Sequence, residues 1–410
     1  MLIQFTVGNF RSIRDKVTLS LLASKDTEHE ETHIIQAGRF RLLKSAVIYG
    51  ANASGKSNLI KAVGALWKMV INSAKESQIA QLLPVDPFLL HTEKRNEPSF
   101  FEIILLLENV VYRYGFEASK EEIISEWLFV TESSKEKRLF IRERDQITLG
   151  REFSEGNERI DRTTKKALVL SVMAAWNGML ASKLVIAIDH LVVGPTIIES
   201  GGGFDFMKRW SNPPHASSKA KFVELMNRVP LGFEDIRMEH GQPMKSLHAV
   251  YDAEGNKAGT VEFDFMKMES DGSIKMMELG AGILTLLSTG STIMIDELES
   301  HFHPLLTQYL LGLFHSKSNN KGAQLIFTTH DSKLLDRAFF RRDQVWFTEK
   351  DEREGTMFYS LDEFQIRKDT SYENDYLLGK FGAVPFLTDT SGHIETSREE
   401  PNPTPEPNQP

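Results

Sequence analysis

The sequence contains no cysteine, which excludes disulfides and thiolate metal centres. It has no excess of base either: 48 Lys and Arg stand against 57 Asp and Glu, a formal net charge of −9. That balance favours solubility and argues against broad DNA coating, which needs a net basic face; a local basic stripe, and with it a DNA contact, is left open. No apolar run approaches the roughly 18 residues of a membrane-spanning helix, so no membrane partner is expected. The opening MLIQFTVGNF lacks the basic and apolar regions of a secretion signal, and a cytoplasmic location is expected. There is no internal repeat and no long heptad stretch. The end of the chain holds Pro401, Pro403, Pro405, Pro407 and Pro410 without an aromatic residue, which predicts a disordered tail over 389–410.

What is present suits a globular protein. At 410 residues the chain fits two or three domains, and an apolar fraction of 41% is enough to bury a sizeable core. Residues 1–7 and 16–22 read as strands, and residues 46–49 as a short strand buried on both sides. After Ser57, Leu59, Ile60, Val63, Leu66, Trp67, Val70 and Ile71 recur at helical spacing. Residues 97–148 turn to β character, with two strands around Glu108 and Asn109. Residues 163–183 read as one helix, 222–229 as another, and 248–268 as strand-like. Residues 291–295 and 323–329 are further buried strands, with a helix from Pro304 to Phe314 between them. Strands alternating with helices imply α/β architecture with a parallel sheet.

Residues 50–57, GANASGKS, match the phosphate-loop pattern G-x-x-x-x-G-K-[ST]. The glycines let the backbone wrap until successive N–H groups face one phosphate, and the helix that follows adds its positive end. Gly50, Asn52, Ala53, Ser54, Gly55, Lys56, Ser57 and Asn58 are the candidate cofactor-binding residues. Lys56 is expected on the β- and γ-phosphates, and Ser57 on Mg2+. The alternative is a chance glycine turn, but an apolar strand before the loop and a helix after it are the context the motif requires.

Residues 291–297, STIMIDE, form an apolar strand ending in two carboxylates. Ligands lie at the carboxyl ends of parallel strands, so Asp296 is expected in the Mg2+ shell and Glu297 on the attacking water. The next strand ends at His330, a candidate donor to phosphate or water, or else an ordinary strand-end histidine. Lys56, Glu297 and His330 are thus the candidate catalytic residues. Arg337, Arg341 and Arg342 read as a solvated helix end, with a nucleic-acid contact as the alternative. Trp127, Trp176 and Trp210 read as packing residues rather than base-stacking platforms.

Lys56 and Asp296 are about 240 residues apart. That large insertion resembles the ABC-type ATPases of chromosome maintenance and repair: the SMC proteins, RecF and the overcoming-lysogenization-defect (OLD) family. The segments NFRSIRD (9–15), YGANASGKSNLIKA (49–62), ALVLSVMA (167–174), IDELESHFHP (295–304), FTTHD (327–331) and YLLGKFGAVPF (376–386) further resemble the stand-alone AAA/ABC ATPases of bacterial defence loci, the RloA-like group. The resemblance implies an ABC-type P-loop NTPase head with a mixed, mainly parallel sheet and an inserted α+β arm. The division is then a head over 1–84 and 266–388, with the arm over 85–265. It implies ATP, rather than GTP, and Mg2+ as cofactors. It also implies a homodimer or a higher oligomer of dimeric units, and control of a protein effector, a nuclease or toxin subunit. No nuclease-like acidic cluster follows residue 330, so the effector is expected on another chain.

ABC ATPases place a serine-glycine signature of one subunit on the γ-phosphate bound by the other. Residues 278–282, ELGAG, are taken for that element, with Gly280 as the contact, although the serine position falls on Glu278 or Gly280. Either a helix N-terminus near Gly280 and Gly282 replaces the hydroxyl with backbone N–H groups, or hydrolysis is weak. Gln78 and Gln81 are candidates for the loop that joins head to arm, and Arg11 for a nucleotide contact. His301, His303 and Glu299 are read as part of the loop that crosses the dimer interface rather than as a metal site. Two other readings are a repair ATPase that holds DNA ends and a nucleotide switch without turnover.

Overall fold

A computed structural model describes residues 1–74, 82–151, 153, 155, 163–193, 232–237, 242–301, 304–367 and 370–385, less the side chains of 192, 193, 275, 278, 279 and 301. The helix expected at 222–229, Gln78, Gln81, Trp210, His303 and the tail over 389–410 lie outside the described residues.

The opening alternation forms β1 (Leu2–Gly8) and β2 (Val17–Ser20), an antiparallel pair. A one-turn helix α1 (Glu30–His33) leads into the hairpin β3 (Ile34–Ala37) and β4 (Phe40–Leu43). The buried run is β5 (Ser45–Gly50), and α2 (Lys56–Asn72) starts at the lysine of the phosphate motif. Five strands follow: β6 (Ser99–Leu107), β7 (Val110–Ala118), β8 (Ile123–Thr131), β9 (Glu136–Glu143) and β10 (Gln146–Leu149). Glu108 and Asn109 both have positive φ, 52° and 65°, as a two-residue hairpin with right-handed twist requires.

These five strands are not an appendage. β6 pairs with β1, giving one antiparallel seven-stranded sheet in the order β10-β9-β8-β7-β6-β1-β2. The arm expected from residue 85 therefore begins too early: residues 99–149 belong to the same sheet as the N-terminus. Local alternation identifies strands but not their partners, and β1 supplies the long-range partner.

The helix expected over 163–183 is two helices, α3 (Val169–Ala175) and α4 (Met179–Asp189), bent 111° apart. The chain breaks at Asn177, whose φ is 64°. Buried Glu126 on β8 accepts the N–H groups of Val169 at 2.7 Å and Leu170 at 3.0 Å, and the Tyr114 hydroxyl at 3.0 Å. It satisfies two of the donors that a helix start leaves open. Burial pushes its pKa up, against the pull of those donors and of Arg142.

β11 (Leu191–Val193) follows, then a small antiparallel sheet of β12 (Asp235–Arg237), β13 (Lys245–Tyr251) and β14 (Lys257–Asp264). A short helix α5 (Phe265–Met268) leads into α6 (Asp271–Thr289). The remainder is β15 (Thr292–Ile295), α7 (Pro304–His315), β16 (Gln324–Thr328), β17 (Val345–Lys350), β18 (Thr356–Ser360) and α8 (Tyr372–Leu377).

The second large sheet runs β11-β15-β16-β5-β17-β18, parallel except for β18. Its strands are apolar on both faces, and alternate residues enter different cores. Ala46, Ile48, Met294, Ile326 and Trp346 pack with α2 and the antiparallel sheet. Val47, Tyr49, Ile293, Ile295, Phe327 and Phe347 pack with α6 and α7. This is the pattern of a parallel sheet covered on both sides. Among the described residues, no single helix is long and apolar enough to cross a membrane.

Candidate nucleotide site

The phosphate loop starts where β5 ends. Gly50 has φ 157° and Gly55 φ 113°, and neither position has room for a side chain. A Cβ on Gly50 would overlap the backbone and hydroxyl of Thr348, and one on Gly55 would overlap the Thr356 hydroxyl. Between them Ala53 is also left-handed, at φ 63°. Such a run of conformations turns backbone N–H groups toward a common centre.

Hydroxyls staple the loop to its surroundings. Ser54 Oγ lies 2.6 Å from Thr348 Oγ1 on β17, and Thr356 Oγ1 donates to the Ser54 carbonyl at 2.9 Å. Ser12 Oγ lies 2.8 Å from Thr356 Oγ1 and accepts from Asn58 Nδ2 at 2.6 Å. The N-terminal turn that carries Arg11 and Ser12 is thus tied to the start of α2. Arg11 itself pairs with Asp86 at 3.1 Å. A groove of about 500 Å3 opens beside Ser12, lined by Arg11, Phe88, Leu90, Lys350 and Glu354.

Lys56 is 5% exposed and donates to the carbonyls of Gly50 at 2.8 Å and Ala51 at 3.0 Å. Burial lowers its pKa, and the charges of Asp296, Glu297 and Glu299 oppose that shift. The lysine thus lies within electrostatic reach of those acidic residues.

Those acids stand at the end of β15, and β16 runs parallel beside it. Thr328 Oγ1 donates to Asp296 Oδ1 at 2.7 Å and accepts the Glu297 N–H at 2.7 Å. Glu297 takes φ 50°, which turns the chain sharply away from the strand. Its Oε1 lies 3.8 Å from His330 Nε2, with both side chains part exposed. Glu299 accepts the His330 N–H, and its second oxygen, Oε2, is buried with no hydrogen-bond partner among the described residues. The loop residues Gly50 to Asn58 and Asp296, Glu297 and His330 all lie at the carboxyl ends of β5, β15 and β16.

Gly280 is not at a helix start. Residues 278–282 lie inside α6, and Gly280 and Gly282 are buried there. Interior N–H groups of a helix are engaged by its own carbonyls, so the expected contact from Gly280 fails. The N-terminus of α6 instead carries Ser270, Asp271, Gly272 and Ser273, with Ser270 as N-cap accepting the Ser273 N–H at 3.1 Å. Ser270, directly before a helical apolar pattern, is the signal in the sequence for this helix start.

The arginine cluster is neither a solvated helix end nor a free basic patch. Arg341 is fully buried and bonded to both Asp343 oxygens at 2.9 and 2.7 Å. Arg337 pairs with Glu28, and Arg342 lies near Asp26 and Asp362. Among the described residues, no cluster of three or more His, Asp or Glu could hold a metal by itself.

No curated protein matches the chain. Among solved structures, it is similar to an SMC head domain from Thermotoga maritima at 13% identity, covering 89% of this chain and 99% of that one with a TM-score of 0.41. It is also similar to an SMC head bound to the C-terminal winged-helix domain of ScpA, at 14% identity, 88% and 99% coverage and a TM-score of 0.44. A third similar structure is an SMC head with an extended coiled coil, bound to the C-terminal domain of ScpA, from Pyrococcus furiosus; identity is 12%, coverage 93% and 98%, and the TM-score 0.41. A family model matches residues 45–169 and 202–336, which span the phosphate loop, the acidic strand and His330. The chain belongs to that family, described as AAA domain, putative AbiEii toxin, Type IV TA system.

Proposed function

We propose that the protein is an ATPase whose two heads close on ATP. The observation that carries this reading is the gathering of the phosphate loop with Lys56, and of Asp296, Thr328, Glu297 and His330, at the carboxyl ends of the neighbouring strands β5, β15 and β16. The loop N–H groups and Lys56 would hold the β- and γ-phosphates. The donor set suits Mg2+: Ser57 offers a hydroxyl, and Asp296 a carboxylate with one oxygen already oriented by Thr328. Bound there, the ion would neutralise phosphate charge. Glu297 would orient the attacking water and take its proton, and His330 would donate toward the same oxygens.

Strand order favours one direction for the nucleotide. Asp296 and Thr328 lie to one side of β5, and Thr348 and Thr356 to the other. A triphosphate with its γ end at Asp296 therefore points its nucleoside toward β17, β18 and the groove beside Arg11 and Ser12. The serine and glycine at the start of α6, the N-cap Ser270 and Gly272 in its first turn, would meet the γ-phosphate held by a second copy. This turn supplies the serine that residues 278–282 lack, which favours turnover over a silent switch. The paired state of Arg337, Arg341 and Arg342 gives DNA binding no support from that cluster.

We further propose a role in bacterial defence, with head closure controlling a separate effector such as a nuclease or toxin subunit; what supports a partner of this kind is the toxin-antitoxin wording of the family description. A direct test is phosphate release by the purified chain with ATP and Mg2+, beside ATP binding by Lys56→Ala. The reading expects turnover and at least a roughly tenfold loss of affinity in the variant. Undiminished binding by Lys56→Ala contradicts it.

A further inference from the structure

The turn before α6 is held from outside the nucleotide site. His248 on β13 places Nε2 2.7 Å from Glu269 Oε1, and Ser246 Oγ donates to the same oxygen at 2.5 Å. Only 6% of the Glu269 side chain and 19% of the His248 side chain are exposed. The His248 ring lies against Phe263 on β14, with centroids 4.4 Å apart, and edge-on to Phe233 at 6.3 Å. Glu269 is the residue directly before the N-cap Ser270, and its own N–H bonds the Phe265 carbonyl at 3.2 Å. Among the described residues, both side-chain partners of this carboxylate come from β13.

We propose that His248 and Glu269 form a latch through which the β13–β14 hairpin positions Ser270 and Gly272 for the second copy's nucleotide. The proposal rests on the reading of that turn given above. A buried carboxylate abandoned by its donors is costly, so movement of β13 must either carry Glu269 with it or break the latch. Carrying Glu269 along moves the N-cap and the amides behind it. The far half of the hairpin is solvent-exposed, including Tyr251 and residues 254–262, so a force applied there has a path to the turn. Neither residue touches the phosphate loop or the acidic strand, so both are positioning residues.

The test uses the full chain with Glu297→Gln, to suppress turnover, and adds His248→Ala, His248→Gln, Glu269→Gln or Ser270→Ala. Three quantities are read: hydrogen exchange of the amides at 270–273, ATP affinity, and ATP-driven self-association. The latch predicts that His248→Ala speeds exchange at Ser273 about tenfold and weakens association about tenfold, with ATP affinity within about twofold. His248→Gln, which keeps a donor near Nε2, restores both. Glu269→Gln keeps the shape of the side chain and removes the charge; should His248→Ala not fold, it must show the faster exchange by itself. Unchanged exchange and association in a folded His248→Ala or Glu269→Gln overturn the latch. Ser270→Ala separates the two claims: if it associates like its parent, the reading of the turn fails, while exchange still judges the latch.

Discussion

Thr328 Oγ1 donates to Asp296 Oδ1 and accepts the Glu297 N–H, each at 2.7 Å. One hydroxyl thus bonds the Asp296 carboxylate and the backbone of Glu297, where the chain takes φ 50°. Thr328→Val keeps the shape and removes the hydroxyl. Turnover should fall by about tenfold to a hundredfold with ATP affinity nearly unchanged, as expected when a group that acts in the transition state loses its alignment. Single-turnover hydrolysis and equilibrium binding measured on the same preparation check this, and an unchanged rate contradicts it.

Gly55 combines φ 113° with a Cβ position already filled by the Thr356 side chain. Gly55→Ala should therefore open the loop and weaken ATP binding by at least about tenfold, with a small loss of global stability. Removing the obstruction with Thr356→Ala should not restore binding, because the backbone conformation remains unfavourable. Rescue by the double variant would show that overlap with Thr356 alone limits the site.

Glu126 links the antiparallel sheet to the start of α3 through three accepted hydrogen bonds, in full burial. Glu126→Ala leaves two helix N–H groups and the Tyr114 hydroxyl without that acceptor, and should cost about 3 kcal/mol. Urea unfolding checks the figure. Glu126→Gln retains an acceptor and should cost less; equal losses would mean that charge, not hydrogen bonding, sets the contribution.

His33 packs its ring against His315, with centroids 3.7 Å apart, and against His29 at 4.5 Å, the two pairs tilted by 31° and 32°. Burial, then the nearby His29, Lys44 and Arg341 charges, lower the His33 pKa to about 4, against the pull of its bond to the Phe339 carbonyl. Burial likewise holds His315 well below the usual histidine range. Between about pH 6.5 and pH 4 the unfolded chain binds protons that these folded histidines refuse, so stability falls as pH falls through that window. Wild type should lose about 2 kcal/mol more than His33→Gln between pH 7.5 and pH 5. Parallel losses would show that carboxylates elsewhere dominate.

Much of this site was legible in the sequence because its chemistry is local. The phosphate loop, the strand ending in Asp296 and Glu297, and the strand ending before His330 each pair a short apolar run with polar residues at its carboxyl end. What was hidden was long-range. Nothing near Ser99 reveals that β6 pairs with β1, so strands of the first sheet were assigned to an arm. Gly280 and Gly282 look like a turn, since each costs a helix about 1 kcal/mol, but Met276, Met277, Ala281 and Ile283 are buried around them and hold α6 straight through. The helix start thus moved back to Ser270. Trp67 and Asp189, bonded at 3.1 Å between α2 and α4, are likewise neighbours that no local pattern links.

If two heads share each ATP, as proposed, the rate of hydrolysis per subunit depends on protein concentration. The rate should rise with concentration toward a plateau, and Glu297→Gln should abolish it while still binding ATP. A rate per subunit that is constant from the lowest concentration upward, with Ser270→Ala as active as wild type, would contradict the shared site.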